Sequence, residues 1–435
     1  MRLSPQRIAV AALAAASTAL PFAVGILKNG LIEVLLLAPV AWFLVTSRTD
    51  RAARILLLLV SVCLTATVCD LILRPVLGAQ LHYSPMNQHQ RRLPALPILG
   101  RWDAMVDFSG SVYGDLAAMS GDPMFREPRE VEFRTDALGF RNDAVPKLVD
   151  LIVLGDSFAA GVGITQTATF SRVLEARYGL SVYNLSYPGG PYDQYLNFSL
   201  EVPKLSLVPG ADLIWTLYTG NDLDDAGGEI WEIESLPWRT GLSSAWVEYR
   251  TFRDRSPLRQ GWNALQSRWG GVSKQVIIRS LPDGRPVLFY GPQEVWGGRA
   301  RAEVERHPNF AKFLTTFRSM KAATDRLGLR VTIVILPTKG EVYPWLLAPQ
   351  SAYEAIGPSG FAEAVLGACE QVSLHCWDSK AFLQEEARRL FDASQDLLWW
   401  RDDTHMNGLG HQAVASFVGK KIWRNEREQA TQPRR

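Results

Sequence analysis

The hydrophobic pattern changes character about 80 residues into the chain. Runs with no charge or almost none occupy residues 8–27, 31–46 and 55–73. A helix needs about 20 predominantly apolar residues to cross the hydrocarbon core of a bilayer. Residues 1–80 are therefore predicted to be a membrane region with three transmembrane helices.

Basic residues predict how these helices are oriented. Arg2 and Arg7 precede the first run, and the loop 47–54 between the second and third runs carries further arginines. Because Lys and Arg accumulate on the cytoplasmic side of a membrane, the N-terminus and this loop are predicted to lie inside. Three crossings then place the chain from residue 80 onwards outside, with Asp70 near the outer end of its helix, where a carboxylate can reach water.

Two other interpretations of the N-terminal region stay open. Residues 1–25 could be a secretory signal peptide, which would leave two spans and the same final location. The second run is short and contains Glu33. If it does not cross the membrane, the chain from residue 80 onwards is cytoplasmic.

Beyond residue 80 the pattern alternates between strands and helices. Residues 81–147 are predicted to be a linker and lead-in. Residues 81–130 are rich in Pro, Gly and Arg and show little periodicity, and a short strand is predicted at 130–135. Compact apolar runs then predict strands at 151–154, 180–185, 212–218, 331–336 and 372–377. Apolar residues at helical spacing predict helices from Phe170, over 309–326 and over 409–423.

This alternation predicts an α/β fold over residues 148–424, with three α/β/α layers and a central parallel sheet of flavodoxin-like type. In such sheets the ligand lies at the carboxyl ends of the strands. Residues 425–435 are predicted to be a polar tail.

An insertion is predicted at residues 223–308, where the alternation is interrupted. It includes an added strand at 287–290 and six of the 14 tryptophans: Trp231, Trp238, Trp246, Trp262, Trp269 and Trp296. Aromatic side chains dominate cores, so these residues predict a small core of the insertion itself. A platform on which a sugar or an apolar substrate stacks is the alternative.

Composition and charge narrow the function classes. The net charge is +2, with 7 basic and 3 acidic residues in the first 80 positions and 39 basic and 41 acidic residues after them. A nearly neutral chain after residue 80, without clustered Lys and Arg, argues against a nucleic-acid partner. Cys369 and Cys376 lie in the soluble part, where a disulfide is permitted if that part is outside the cytoplasm.

Two polar motifs carry candidate chemistry. Gly155-Asp156-Ser157 directly follows a predicted strand, where a nucleophile belongs in this architecture, although the tripeptide alone is typical of a turn. A serine hydroxyl needs a base, and Asp402-Asp403-Thr404-His405 offers one. Asp402 and His405 are three apart, so one helical turn would bring both to the same face, with the carboxylate holding the imidazole tautomer. A helix cap or a surface turn is the alternative.

Two further motifs follow the next predicted strands. Gly189, in Tyr187-Pro188-Gly189-Gly190, lets a backbone N–H approach a ligand closely. Asn221, in Gly220-Asn221-Asp222, can donate its amide to a developing oxyanion. A simple turn and a helix N-cap are the respective alternatives.

The order of these four motifs resembles the SGNH hydrolases, also called the GDSL esterase superfamily. The resemblance covers residues 148–424, and the four positions that give the family its name correspond to Ser157, Gly189, Asn221 and His405. The N-terminal membrane region and the insertion are absent from the simplest secreted members.

The resemblance implies a role for each matched residue. Ser157 would attack an acyl carbonyl, and His405, oriented by Asp402, would act as general base and then general acid. The backbone N–H groups of Ser157 and Gly189 and the Asn221 amide would form the oxyanion hole. Asp403 and Gly190 are the alternatives to Asp402 and Gly189. The chemistry needs neither a metal nor another cofactor.

We therefore expect a membrane-anchored serine esterase, with its catalytic domain on the extracytoplasmic, periplasmic side and its N-terminal helices in contact with lipid. The expected substrate is an acyl ester, O-acetyl above all, on an exported or surface glycan. Three alternatives stay open. An O-acyltransferase would pass the same acyl group to a sugar hydroxyl, a lipid or thioester hydrolase would act near the membrane, and a glycan-binding protein would have no catalytic activity.

Overall fold

The computed structural model describes residues 50–77, 83–93, 99–227, 256–269, 273–347 and 357–430, with isolated positions elsewhere. The second predicted span, 31–46, lies outside the described residues, and only scattered positions of the first are described. The chain divides into two compact units, one formed by residues 1–88 and 239–270 and the other by residues 89–238 and 271–435.

The described residues form strands and helices that are numbered here in chain order. The strands are β1 Gln90–Arg92, β2 Gly100–Trp102, β3 Asp107–Val112, β4 Arg129–Arg134, β5 Val149–Leu154, β6 Val182–Asn184, β7 Leu207–Tyr218, β8 Val276–Ser280, β9 Pro286–Tyr290, β10 Arg330–Leu336 and β11 His375–Asp378. The helices are α1 Asp50–Leu77, α2 Asp115–Ser120, α3 Ser157–Ala160, α4 Phe170–Tyr178, α5 Pro191–Glu201, α6 Asp222–Asp225, α7 Pro257–Trp269, α8 Gly291–Gly297, α9 Arg301–Glu305, α10 Phe310–Leu327, α11 Lys339–Val342, α12 Pro344–Leu347, α13 Gly360–Val372, α14 Lys380–Ser394 and α15 Gly408–Ala430.

The first unit contains α1, which covers the third predicted span. Within the described part of the chain, its segment Ala53–Arg74 is the helix that is long and apolar enough to cross a membrane. Asp70 is fully buried, whereas we expected its carboxylate to reach water. The cause is the segment at the start of α7: Asp70 accepts hydrogen bonds from the Ser256 hydroxyl at 2.7 Å and from the Leu258 N–H at 3.1 Å.

The second unit is built on a parallel sheet with the strand order β11-β10-β7-β5-β6. Its inner strand β5 ends in an unbroken apolar run, as buried parallel strands require, and residues 151–154 are all buried. Helices flank the sheet. The α/β fold with a central parallel sheet is confirmed. Because the chain moves from β5 to β6 on one side and then to β7 on the other, the strand order reverses between β5 and β7, which is where α/β sheets bind ligands.

One flanking helix shows how the hydrophobic pattern places the core. In α10 the apolar positions Phe313, Phe317 and Met320 are fully buried, as their spacing predicted. Trp215 of β7 meets Phe317 edge-on, with ring centroids 5.4 Å apart. The strands and helices expected after residue 148 are all present, and α15 continues to Ala430, past the predicted start of the polar tail.

The segment 81–147, which we expected to be a linker, is largely built into the second unit. β1 pairs with β2 and β3 pairs with β4, both antiparallel, and α2 lies between β3 and β4 in the chain. Strands of three to six residues are too short to give a clear periodic pattern, so the sequence predicted only the strand at 130–135.

The predicted insertion, 223–308, is divided between the two units. Its expected added strand is β9, which pairs with β8 in a hairpin. Trp296 is buried and donates its indole N–H to Asp224, whereas Trp262 is 53% exposed. Trp231, Trp238 and most of the segment around them lie outside the described residues, so a core formed by the six tryptophans stays a prediction.

Cys369, near the end of α13, is bonded to Cys376 in β11. Their Cα atoms are 6.3 Å apart, within the range that a disulfide spans. The pairing that the sequence left open is therefore made in the second unit.

Candidate active site

The turn after β5 positions Ser157. β5 ends at Leu154, and Asp156 caps the short helix α3 by accepting the Phe158 N–H at 2.9 Å. A side chain at Gly155 would collide with the Thr216 hydroxyl of β7, so only glycine allows the chain to turn this close to the neighbouring strand. Ser157 thus begins a helix at the carboxyl edge of the sheet, beside the point where the strand order reverses.

His405 approaches this serine from a loop near the end of the chain. Its Nε2 lies 2.9 Å from the Ser157 Oγ, although the two residues are 248 positions apart. The other ring nitrogen, Nδ1, lies 2.7 Å from Oδ1 of Asp403. The imidazole therefore connects a hydroxyl on one side with a carboxylate on the other, which is the arrangement in which a base can take a serine proton.

The carboxylate at His405 is Asp403, not Asp402 as the spacing predicted. Residues 401–405 form turns and bends rather than a helical turn, so a separation of three does not bring the two side chains together. Instead, the fully buried Asp402 accepts the N–H groups of Gly114 at 2.7 Å and Glu127 at 2.8 Å. Asp402 joins the His405 loop to the segment before β4, while Asp403 orients the imidazole.

Arg129 of β4 connects these two aspartates. One guanidinium nitrogen contacts Asp402 at 2.9 Å and another contacts Asp403 at 2.5 Å. Its side chain is 7% exposed, so the three charges interact with little screening by solvent. Sequence reasoning missed Arg129 because it lies in the segment taken for a lead-in, more than 270 residues from its partners. Its one sequence signal was a charged residue at the start of a short alternating strand.

The charges around His405 shift its proton equilibrium. Burial alone would lower the pKa of the imidazole, but the charge and hydrogen bond of Asp403, with Asp115 and Asp156, raise that pKa to about 9. Burial alone would raise the pKa of Asp403, but His405 and Arg129 hold it well below its usual range. The ion pair between Asp403 and a protonated His405 is therefore strongly favoured.

Asp115, the first residue of α2, is a further acidic group at the site that sequence reasoning missed. Its Oδ2 lies 4.0 Å from His405 Nδ1, and burial together with the charge of Asp403 raises its pKa to about 7. One ligand atom each from Asp115, Asp403 and His405 lie within 4.8 Å of one another, a spacing that a metal ion could use. In this structure Nδ1 of His405 and Oδ1 of Asp403 are hydrogen-bonded to each other.

The predicted oxyanion donors follow the strands next to β5. Gly189 lies in the loop after β6, where the Gln194 side chain donates to its carbonyl at 2.8 Å. Asn221 lies after β7, at the N-cap position of α6, and donates its amide to Asp225 at 2.6 Å. Parallel pairing places both loops at the same sheet edge as Ser157. An oxyanion at Asn221 would have to replace Asp225 as the acceptor of its amide.

Lys339, the first residue of α11, binds backbone carbonyls of the loop that carries His405. A loop lysine at this edge of the sheet would ordinarily be exposed to solvent. It is instead 2% exposed and donates to backbone carbonyls, including those of Leu288 at 2.8 Å, Trp400 at 2.7 Å and Asp403 at 3.2 Å. Burial lowers its pKa to about 8.

The comparisons with known proteins add little to this geometry. No family model matches the chain, and a search of the curated proteins returns no match. Among solved structures, the chain is similar to the psychrotrophic esterase EstA from Pseudoalteromonas sp., in a crystal structure inhibited by monoethylphosphonate, with 10% identity over 64% of this chain and 100% of that chain. The TM-score is 0.30, a value at which the likeness by itself assigns neither a family nor an activity.

Proposed function

We propose that this chain is a serine hydrolase that cleaves acyl esters through an acyl-enzyme on Ser157. The observation that carries the proposal is the continuous contact of Ser157 Oγ, His405 and Asp403, with separations of 2.9 Å and 2.7 Å. A hydroxyl, an imidazole and a buried carboxylate in this order form the constellation that activates a serine nucleophile.

The reaction follows from these contacts. His405 Nε2 takes the proton from Ser157 Oγ as that oxygen attacks the acyl carbonyl, and the charged imidazolium is stabilised by Asp403. When the tetrahedral intermediate collapses, the C–O bond to the alcohol breaks and His405 returns the proton to the leaving oxygen. Water then attacks the acyl carbonyl while His405 takes its proton. The bond between the acyl carbon and Ser157 Oγ breaks, His405 returns the proton to Oγ, and the carboxylic acid leaves.

The tetrahedral oxyanion needs donors at the same sheet edge. The Ser157 N–H at the start of α3, the Gly189 N–H and the Asn221 amide are the groups that we assign to it. In this proposal the oxyanion displaces Asp225 from the Asn221 amide. Removal of one donor of this kind typically lowers the rate about a hundredfold to a thousandfold.

The proposal extends to location and substrate class. We place the second unit on the extracytoplasmic side of a membrane in which α1 is one anchor. The Cys369–Cys376 disulfide supports this side, because disulfides persist in oxidising compartments. For a hydrolase in that position the proposed substrate is an O-acetyl ester on an exported or surface glycan.

Hydrolysis of p-nitrophenyl acetate by the full chain in detergent tests the proposal. We expect a burst of nitrophenol followed by steady turnover, abolished in Ser157→Ala and retained in Ser394→Ala, which removes an exposed serine of α14. Sugar acceptors added during turnover separate hydrolysis from transfer, because an acylated sugar appears only in the second case. An equal rate in Ser157→Ala and the wild type would refute the acyl-enzyme.

A further inference from the structure

A second carboxylate faces the ring nitrogen of His405 that already contacts Asp403. Asp115 Oδ2 lies 4.0 Å from His405 Nδ1, and Asp403 Oδ1 lies 2.7 Å from the same atom. The reaction proposed above uses Asp403 and gives Asp115 no part. Yet when His405 takes a proton, both carboxylates lie close enough to stabilise the new charge.

Thr404 connects Asp115 to the imidazole. Asp115 accepts the Thr404 N–H at 2.9 Å and the Thr404 hydroxyl at 2.6 Å. That hydroxyl has a single proton, and because it is donated to Asp115, the oxygen presents lone pairs to its other neighbour. The neighbour is His405 Nδ1, at 3.2 Å. The arrangement therefore favours a proton on Nδ1, the tautomer in which Nε2 is free to accept one from Ser157.

The other titratable and charged groups around His405 have partners of their own. Arg129 from β4 pairs with both Asp402 and Asp403. Asp156 precedes Ser157 and accepts the Phe158 N–H. The buried His411 of α15 accepts the Phe170 N–H on Nδ1. The ion pair that Asp115 makes among the described residues is with His405.

We propose that Asp115 is a positioning residue for His405, and that its carboxylate, acting through Thr404, stabilises the imidazolium and so sets the pH at which His405 can accept the Ser157 proton. The catalytic meaning of this inference rests on the proposed function. The interaction itself does not, because the titration of His405 can be measured without any substrate.

The first experiment follows that titration in the full chain in detergent, with ¹³C at Cε1 of the six histidines. The signal that disappears in His405→Gln is assigned to His405. In Asp115→Asn, which keeps the shape of the side chain, we expect the midpoint to fall by about one pH unit or more, the size expected when a charge about 4 Å away is removed. Asp115→Glu retains the negative charge, so the midpoint of the His405 titration should stay raised, as in the wild type.

A matched control is Asp122→Asn, which neutralises a carboxylate of the same segment that caps its own turn through the Met124 N–H. It should leave the midpoint where it is in the wild type. If Asp115→Asn gives no cooperative thermal transition, Asp115→Ser, also neutral and smaller, replaces it under the same expectation. A folded neutral variant with an unchanged midpoint overturns the inference.

The pH profile of ester hydrolysis then connects the interaction to the reaction. We expect the acid limb of kcat/KM for Asp115→Asn to move to lower pH by the same amount as the midpoint. A role for Asp115 in folding alone would lower the rate equally at every pH. A lowered midpoint in a chain with no Ser157-dependent hydrolysis would refute the proposed function and leave the Asp115–His405 interaction standing.

Discussion

Substitution of the two adjacent aspartates before His405 should have different effects: loss of the Asp403 charge should lower the catalytic rate, and loss of the Asp402 charge should lower the stability. Asp403 contacts the imidazole at 2.7 Å, so Asp403→Asn removes the charge that holds the tautomer and stabilises the imidazolium. In triads of this type the corresponding exchange lowers kcat about 10⁴-fold. That loss equals roughly 5.5 kcal/mol in activation free energy, at 1.36 kcal/mol for each factor of ten.

Asp402→Asn should instead weaken the fold. Its carboxylate accepts the N–H groups of Gly114 and Glu127 and a guanidinium nitrogen of Arg129. An amide offers one acceptor oxygen and turns an NH₂ group toward donors. Breaking a buried charge pair in this way typically costs about 3–5 kcal/mol. For a unit of this size we expect Tm to fall by roughly 10 °C, while kcat stays within about tenfold of the wild type.

Both variants are compared in the full chain in detergent, by steady-state hydrolysis of p-nitrophenyl acetate and by thermal unfolding. Asp392→Asn, an exposed carboxylate of α14, is the control for the loss of a charge and should change neither quantity. A thousandfold rate loss in a folded Asp402→Asn variant, together with a nearly normal rate in Asp403→Asn, would contradict the assignment of Asp403 as the partner of His405. That result would instead assign Asp402, which the sequence spacing selected, as the residue that orients His405.

Four further outcomes follow. Because the pKa of His405 is raised to about 9, the base form is scarce at neutral pH. The kcat/KM should therefore rise about tenfold per pH unit toward pH 9, and a plateau from pH 7 would contradict this. Lys339→Met leaves several buried carbonyls without their donor, so thermal unfolding should show a loss of about 3 kcal/mol that the exposed control Lys421→Met lacks. EDTA should leave the rate unchanged, whereas a loss restored by zinc would make Asp115, Asp403 and His405 ion ligands. A reporter fused after residue 80 should be active only if it functions outside the cytoplasm, and activity of a cytoplasmic reporter alone would reverse the orientation.

Local patterns predicted most of the second unit because each of its elements has its own hydrophobic signal. The strand at 151–154 is an unbroken apolar run, and α10 repeats its apolar residues at helical spacing. The segment 81–147 has no such hydrophobic signal, because its strands are short and its contacts are with residues far away in the sequence. Gly114 and Arg129 meet the His405 loop across more than 270 residues, a separation that no spacing rule covers.

The order of strands and helices, the position of Ser157 after β5 and a histidine near the end of the chain could all be predicted from the sequence. Hydrophobic periodicity and strand ends are local properties. The carboxylate that contacts that histidine is selected by tertiary contacts. Backbone N–H groups and a guanidinium from the lead-in bind Asp402, which leaves Asp403 for the imidazole and adds Asp115 beside it. Such a choice depends on partners that are brought together only by folding.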